Sequence, residues 1–218
     1  MTAVRRLSLE SDEELVRWFL RFFKTGDASP FGRRYQDWST TETVVNILEN
    51  RDAAFVARVS ACMPALLLRW TPEDTVETCR RMCDLAIHVR NPGNVTPLIR
   101  MFRRAKDQKD RASALLVLKA LVAYRDDPAT HGIFLSGLRT KVYAATCMRA
   151  LCMCRPEIAA ERFKSFLSLT KLEIGPTASI IRCVPATKMD EFLALVGNDD
   201  RVKKALARGL ICMPLVKA

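Results

Sequence analysis

The sequence predicts an all-α fold, and three observations lead to that prediction. Glycine contributes only 8 of the 218 residues, and the β-branched runs from which strands are built are short. Apolar residues recur with a helical period along most of the chain. The breaks between these periodic stretches are mostly about two to five residues long, which is typical of antiparallel neighbouring helices.

Capping signals justify the first predicted helices, and periodicity between turn residues justifies the others. Ser11 stands three residues before Glu14, and Ser39 stands three residues before Glu42, which is the spacing of a capping box. Residues 71–74 (Thr-Pro-Glu-Asp) combine a cap, an early proline and first-turn acids, and therefore predict a third start. In chain order, the predicted helices span residues 12–24, 40–50, 52–70, 72–90, 94–107, 109–125, 129–138, 140–155, 157–170, 175–184, 186–197 and 199–213.

The charge balance favours anionic partners. Lys and Arg total 35 against 24 Asp and Glu, a net charge of +11, so nucleic acid, an acidic protein and an anionic membrane surface all qualify. The longest runs without a charge, residues 59–68 and 128–138, are about ten residues each, and a membrane span needs about 18 apolar residues. We therefore expect no membrane span. The N-terminal residues lack the apolar core of a signal peptide, while a very short organellar presequence stays open.

The cysteines predict a reducing compartment. All eight lie in apolar helical stretches, where a free thiol behaves as a small hydrophobe, so we expect an intracellular protein of the cytoplasm, nucleus or an organelle matrix. Cys79 and Cys83 share a helix face, but His88 is rotated off that face, so no metal site is expected. The sequence also shows no phosphate-binding glycine loop and no nucleophile motif, which predicts neither a cofactor nor a catalytic residue.

Proline and cysteine recur at similar intervals. Six prolines follow one another at a nearly constant interval with one longer gap, and four of them come two positions after a cysteine; the six are Pro64, Pro92, Pro128, Pro156, Pro185 and Pro214. The interval is about 30 residues, which fits two short helices with their turns. This pattern predicts one recurring packing position at the end of every second helix.

Residues 198–207 (Asn-Asp-Asp-Arg-Val-Lys-Lys-Ala-Leu-Ala) resemble the HEAT-like repeat family, especially its short variety of about 30 residues. Residues 110–121 and 141–151 share the pattern of a charged opening and a small residue followed by Leu. The resemblance implies a right-handed α-solenoid of antiparallel helix pairs over residues 40–218, within a single domain. An irregular all-α bundle is the alternative.

The N-terminal residues 1–39 are rich in aromatic side chains and predict a cap over the first repeat. The alternative is a hydrophobic dock for a protein partner. That dock would use Trp18, Phe22, Phe23, Tyr35 and Trp38.

Basic residues mark the predicted binding surface. A regularly spaced basic series of Lys or Arg consists of Arg51, Arg81, Arg111, Lys141, Lys171 and Arg201, and all except Arg81 are expected near turns. The helix at residues 94–107 adds a dense basic end. Solvation and compensation of the helix dipole are the alternative explanation. The candidate binding surface comprises Arg100, Arg103, Arg104, Lys106, Lys109, Arg111, Arg139, Lys141, Lys171, Arg201, Lys203 and Lys204.

These observations predict a non-enzymatic interaction module, a subunit of a larger assembly, that holds an acidic protein segment or nucleic acid on a basic surface. No small-molecule substrate is indicated. The alternative is an enzyme. A family of DNA glycosylases that excise alkylated purines is similar in size, charge and HEAT-like helices, and this likeness would give base-stacking roles to Trp18, Trp38 or Trp70.

Overall fold

The computed structural model describes residues 11–26 and 53–211, and this part of the chain is helical throughout. It forms eleven α-helices, with short 3₁₀ segments at Pro92–Asn94 and Ala186–Lys188. All-α is therefore the observed class for the described residues. The helices are α1 (Asp12–Thr25), α2 (Ala53–Leu68), α3 (Val76–Val89), α4 (Val95–Asp107), α5 (Arg111–Val122), α6 (Pro128–Gly137), α7 (Lys141–Cys154), α8 (Pro156–Thr170), α9 (Ile174–Ile181), α10 (Met189–Val196) and α11 (Asp200–Ala207).

Helix α1 begins and ends on local signals. The Ser11 side chain accepts a hydrogen bond from the Glu14 N–H, and the Glu14 carboxylate accepts one from the Ser11 N–H, so the predicted capping box is confirmed. The helix stops at Gly26, whose φ of 71° lies in the left-handed region that glycine enters without a steric cost.

Helix α3 begins four residues later than the sequence predicts. Residues 71–74 form a turn in which the Asp74 carboxylate accepts a hydrogen bond from the Thr71 N–H at 2.9 Å. Asp74 also forms an ion pair with Lys24 at 2.9 Å. The cap is Thr75 instead, whose hydroxyl accepts a hydrogen bond from the Thr78 N–H. Two overlapping cap signals compete here, and the contact with Lys24 fixes Asp74 in the turn.

The recurring prolines do not share one position. Pro128 and Pro156 begin α6 and α8, where the missing N–H costs nothing. Pro64 lies inside α2 rather than at its end, so the predicted repeat position is wrong there. The predicted helix 40–50, its Ser39 cap and the boundary at residue 39 lie outside the described residues.

The helices group into two units, Met1–Tyr124 and Arg125–Ala218. In the first unit, α1 packs against α2 and α3, α2 packs against α3 and α4, and α5 packs against α3 and α4. In the second unit, α7 packs against α6, α8 and α9, while α8 contacts α10 and α9 contacts α11. Each helix therefore contacts mainly the next helix or the next but one in its own unit.

The core of the first unit contains a polar network at Tyr124. The Tyr124 hydroxyl donates to the Ala86 carbonyl and accepts a hydrogen bond from the Asn94 side-chain amide at 2.9 Å. All three residues are buried, so the network joins the end of α5 to the end of α3 and to the start of α4 without an unsatisfied hydroxyl.

A close approach between α6 and α7 marks the core of the second unit. A Cβ atom on Gly137 would overlap the Sγ atom of Cys147. Both residues are buried. Glycine at this position therefore permits a helix contact that no larger residue allows without movement of the thiol.

Candidate anion-binding surface

Helix α4 carries cations along its exposed face. Val95, Leu98, Met101, Phe102 and Ala105 are buried, which turns the opposite side of the helix to solvent. Arg100 lies three residues before Arg103 and four before Arg104, and Arg103 lies three before Lys106, so these pairs occupy adjacent turns. The α4 basic face, as we name it here, consists of Arg100, Arg103, Arg104 and Lys106 on the helix, with Lys109 and Arg111 after it, and all six are exposed.

This face has little compensating negative charge. Residues 95–124 contain seven Lys or Arg and only two acids, Asp107 and Asp110. The Asp110 carboxylate caps α5 by accepting a hydrogen bond from the Ser113 N–H at 3.0 Å. Within the described residues, no ion pair joins either acid to the face. Like charges at these spacings repel by about 0.2–0.5 kcal/mol per pair, so the cluster costs stability unless an anion covers it.

Arg104 differs from its neighbours because it has an internal contact. Its guanidinium donates to the carbonyl of Trp70, just beyond the end of α2, at 3.4 Å. Trp70 itself is completely buried. Arg104 is therefore partly a structural residue, and Arg100 and Arg103 are better probes of anion binding.

Two members of the regularly spaced basic series also have internal contacts. Arg81 is largely buried and donates to the Phe23 carbonyl at the end of α1 at 2.7 Å. Arg201 donates to the Leu167 carbonyl in the last turn of α8 at 3.1 Å. Each arginine thus satisfies a carbonyl at the C-terminal end of another helix, where a cation also favours the helix dipole. Arg201 belongs to the predicted binding surface, and with its side chain 33% exposed it has this structural contact as well. Arg51 lies outside the described residues.

The other predicted cations of the second unit are exposed. Arg139 follows α6, Lys141 begins α7 and Lys171 ends α8, while Lys203 and Lys204 lie on α11. Arg139, Lys141 and Lys171 thus lie at or next to helix ends, while Lys203 and Lys204 lie in the middle of α11.

Three helices end on a cation in a conformation that glycine normally adopts. Arg90, Lys109 and Lys171 have φ values of 44°, 60° and 52°, after α3, α4 and α8. Helices α1 and α11 instead use Gly26 and Gly209 at this place. A side chain in this region costs about 1–2 kcal/mol, so each cation is kept at a steric cost.

The aromatic dock is corrected by the burial of its central residues. Phe22 and Phe23 are 2% and 1% exposed and belong to the core of the first unit. Trp18 is partly exposed and stacks on Phe22 with 5.5 Å between ring centroids. Tyr35 and Trp38 lie outside the described residues. The packing of α1 on α2 and α3 is the arrangement expected of a cap.

Burial favours the neutral form of several described thiols. It raises the pKa of Cys147 to about 12 and raises the pKa of Cys152, Cys154 and Cys183 as well. The pKa of Cys83 is raised by its hydrogen bond with Cys79 and by burial. The seven cysteines that the structure describes carry free thiols, and they pack as small hydrophobes.

Sequence reasoning missed the groove between α6 and α8 and its second arginine, Arg162. The signal was present, because Arg162, Phe166 and Leu169 are spaced at i, i+4 and i+7 along α8. Helix α6 is only ten residues long, and nothing in its sequence predicted that the neighbouring face of α8 would be open.

No protein-family model, curated protein or solved structure matches this chain. None of the described helices is long and apolar enough to cross a bilayer. In residues 11–26 and 53–211, no group of three or more His, Cys, Asp or Glu side chains is arranged to hold a metal ion.

Proposed function

We propose that this chain is a non-enzymatic interaction module, built as an α-solenoid of HEAT-like repeats, that holds an anionic partner on the α4 basic face. The partner is nucleic acid or an acidic protein segment within a larger assembly. Contacts between most helices and the next but one within each unit, such as α3 with α5 and α9 with α11, support the solenoid. The observation that carries the binding function is the row of exposed cations without carboxylate partners on α4.

The mechanism is charge complementarity. Guanidinium groups present several N–H donors in a plane and bind phosphate or carboxylate oxygens in pairs. Contacts of this kind position a phosphate backbone without reading its sequence. The complete burial of Trp70 removes the one described tryptophan beside this face from any base-stacking role, so the surface favours backbone contacts.

The test is a fluorescence anisotropy titration with duplex DNA, single-stranded RNA and polyglutamate at 50 mM and 200 mM salt. We expect the double variant Arg100→Ala/Arg103→Ala to bind its preferred polyanion about tenfold or more weakly at low salt. Its salt dependence should also flatten by about two units of slope for duplex DNA, because two ionic contacts are lost.

The matched control is Arg149→Ala/Arg182→Ala, which removes two exposed arginines from the second unit. Both double variants have the same net charge. Equal weakening in the two would assign the binding to overall charge and contradict a site on α4. Absence of measurable binding by the wild type to all three polyanions would contradict the proposed function itself. A preference for polyglutamate over both nucleic acids would identify the partner as acidic protein.

A further inference from the structure

An open groove of about 660 Å³ lies between α6 and α8 in the second unit. Both helices pack against α7 but make little contact with each other. Its lining combines the apolar side chains Leu135, Leu138, Phe166 and Leu169 with Ser136 and Ser165. Leu138 and Phe166 are buried, while Leu169 is 38% exposed. The groove therefore presents a partly apolar surface, with Leu169 as its most exposed leucine, that the described chain leaves uncovered.

Two arginines border this apolar surface. Arg139 lies just after α6 and Arg162 lies on α8, and both are exposed. Among the described residues, neither guanidinium is in an ion pair, and no carboxylate lines the groove. Along α8, Arg162, Phe166 and Leu169 share one face over seven residues, a length of about 10 Å or two helical turns.

We infer that this groove binds an acidic amphipathic helix of a protein partner. Apolar side chains of that helix, spaced at i, i+3 or i+4, and i+7, fill the floor in the manner of helix-in-groove recognition. Its Asp or Glu side chains meet Arg139 and Arg162, where planar guanidinium groups bind carboxylates in pairs. The inference rests on the proposed function as a module that holds an acidic protein segment, and it adds a second surface with its own chemistry.

Other ligand classes fit this groove less well. A nucleic acid backbone would pair with the arginines but would leave Leu169 exposed to water. An amphipathic helix contacts both the apolar side chains and the arginines of the groove, because one of its faces is apolar and its flanks carry charge. Burial of Leu169 supplies a hydrophobic gain that a purely ionic partner does not provide.

The experiment is a selection from a displayed library of random 16-residue peptides on the full chain, followed by affinity measurements with the recovered peptides. We expect recovered sequences to combine Leu, Ile, Met or Phe at helical spacing with Asp or Glu at the flanks. The groove variant Arg162→Glu/Leu169→Gln should bind them at least about tenfold more weakly, which corresponds to about 1.4 kcal/mol.

The matched control is Arg182→Glu/Leu195→Gln, which alters an exposed arginine and an exposed leucine of the same unit outside this groove. Circular dichroism melting curves of both variants verify that they fold. Recovery of no peptide, or of peptides that bind the groove variant as tightly as the wild type, would overturn the inference. So would a recovered set without acidic residues.

The Arg100→Ala/Arg103→Ala variant separates this inference from the proposed function. We expect it to lose polyanion affinity and to keep its affinity for the selected peptides, since α4 and the groove belong to different units. Loss of polyanion binding with intact peptide binding in this variant supports both sites. A wild-type protein that binds the peptides but no polyanion would support the groove alone, and one that binds polyanions but yields no peptide would support the α4 basic face alone. Selected peptides that require Arg100 and Arg103 would contradict a separate groove site.

Discussion

Substitution of Lys109 by glycine and by alanine separates its steric cost from its charge. Lys109 follows α4 with φ at 60°, and the N–H of Asp110 donates back to the Ala105 carbonyl at 2.9 Å. Helix α11 ends in the same way, with the N–H of Leu210 bonded to the Ala205 carbonyl at 3.0 Å. The equivalent residue in α11 is glycine. The protein therefore already has glycine in this turn geometry, at Gly209.

The magnitude follows from the difference between the two variants. Both Lys109→Gly and Lys109→Ala remove one cation, so their effects on the helix dipole are equal. Glycine relieves a left-handed strain of about 1–2 kcal/mol but gives the unfolded chain about 0.4–1 kcal/mol of extra entropy. We therefore expect the glycine variant to be more stable than the alanine variant by about 0.5–1 kcal/mol. That difference corresponds to roughly 1–4 °C in melting temperature.

The assay is thermal unfolding of both variants, with anisotropy titrations alongside. Lys164 supplies the control because it is exposed in the middle of α8, where alanine should be more stable than glycine by about 1 kcal/mol. The order of the two substitutions should thus reverse between Lys109 and Lys164. An alanine variant at Lys109 as stable as the glycine variant would refute the strain. Unchanged polyanion affinity in both would show that this cation serves only the helix end.

Three further outcomes follow from the cores of the two units. Gly137→Ala should destabilise the protein by about 1–3 kcal/mol, and adding Cys147→Ala should recover most of that loss in a double-mutant cycle; additive effects would contradict the close approach. Tyr124→Phe should lower the free energy of unfolding in urea by about 2 kcal/mol, because the Asn94 amide and the Ala86 carbonyl lose their buried hydrogen-bond partner. An unchanged free energy of unfolding would mean that water replaces the hydroxyl. Above pH 9 the unfolded Cys147 thiol ionises while the folded one, with a pKa of about 12, stays neutral, so this thiol alone should lower stability by about 1.4 kcal/mol per pH unit. The other buried thiols add to the fall, so stability should fall less steeply in Cys147→Ala than in the wild type, and parallel pH profiles would contradict this.

Most helices could be predicted from the sequence because their signals are local. Helices α4 to α8 begin and end within three residues of their predicted bounds, since each combines an apolar stripe with a cap or an early proline. The start of α3 could not be predicted, because residues 71–74 and Thr75 both satisfy local rules for a cap. The distant Lys24, through its ion pair with Asp74, fixes which of them is the turn.

The candidate site was predictable in composition and less so in detail. The charge density near Arg100 and Arg103 is visible in the sequence, and the apolar stripe of α4 directs both side chains outward. The internal roles of Arg104 and Arg201 are not visible, because each contacts a carbonyl 34 residues earlier in the chain. Contacts at that separation depend on how helices pack, and a pattern of charges does not encode them.

The regularly spaced basic series therefore has more than one physical origin. A turn position beside the C-terminal end of a helix favours a cation, whether that cation points outward or bonds to a neighbouring carbonyl. Arg201 takes the inward role and Lys171 the outward one, while Arg81 bonds to the end of α1 from within α3 rather than from a turn. Regular spacing thus identifies positions near helix ends, where a cation is favoured for structural reasons. Evidence for binding comes instead from cations that have no such structural reason. Arg100 and Arg103 meet that criterion, because they lie in the body of α4, their repulsion costs stability and no described carboxylate compensates them.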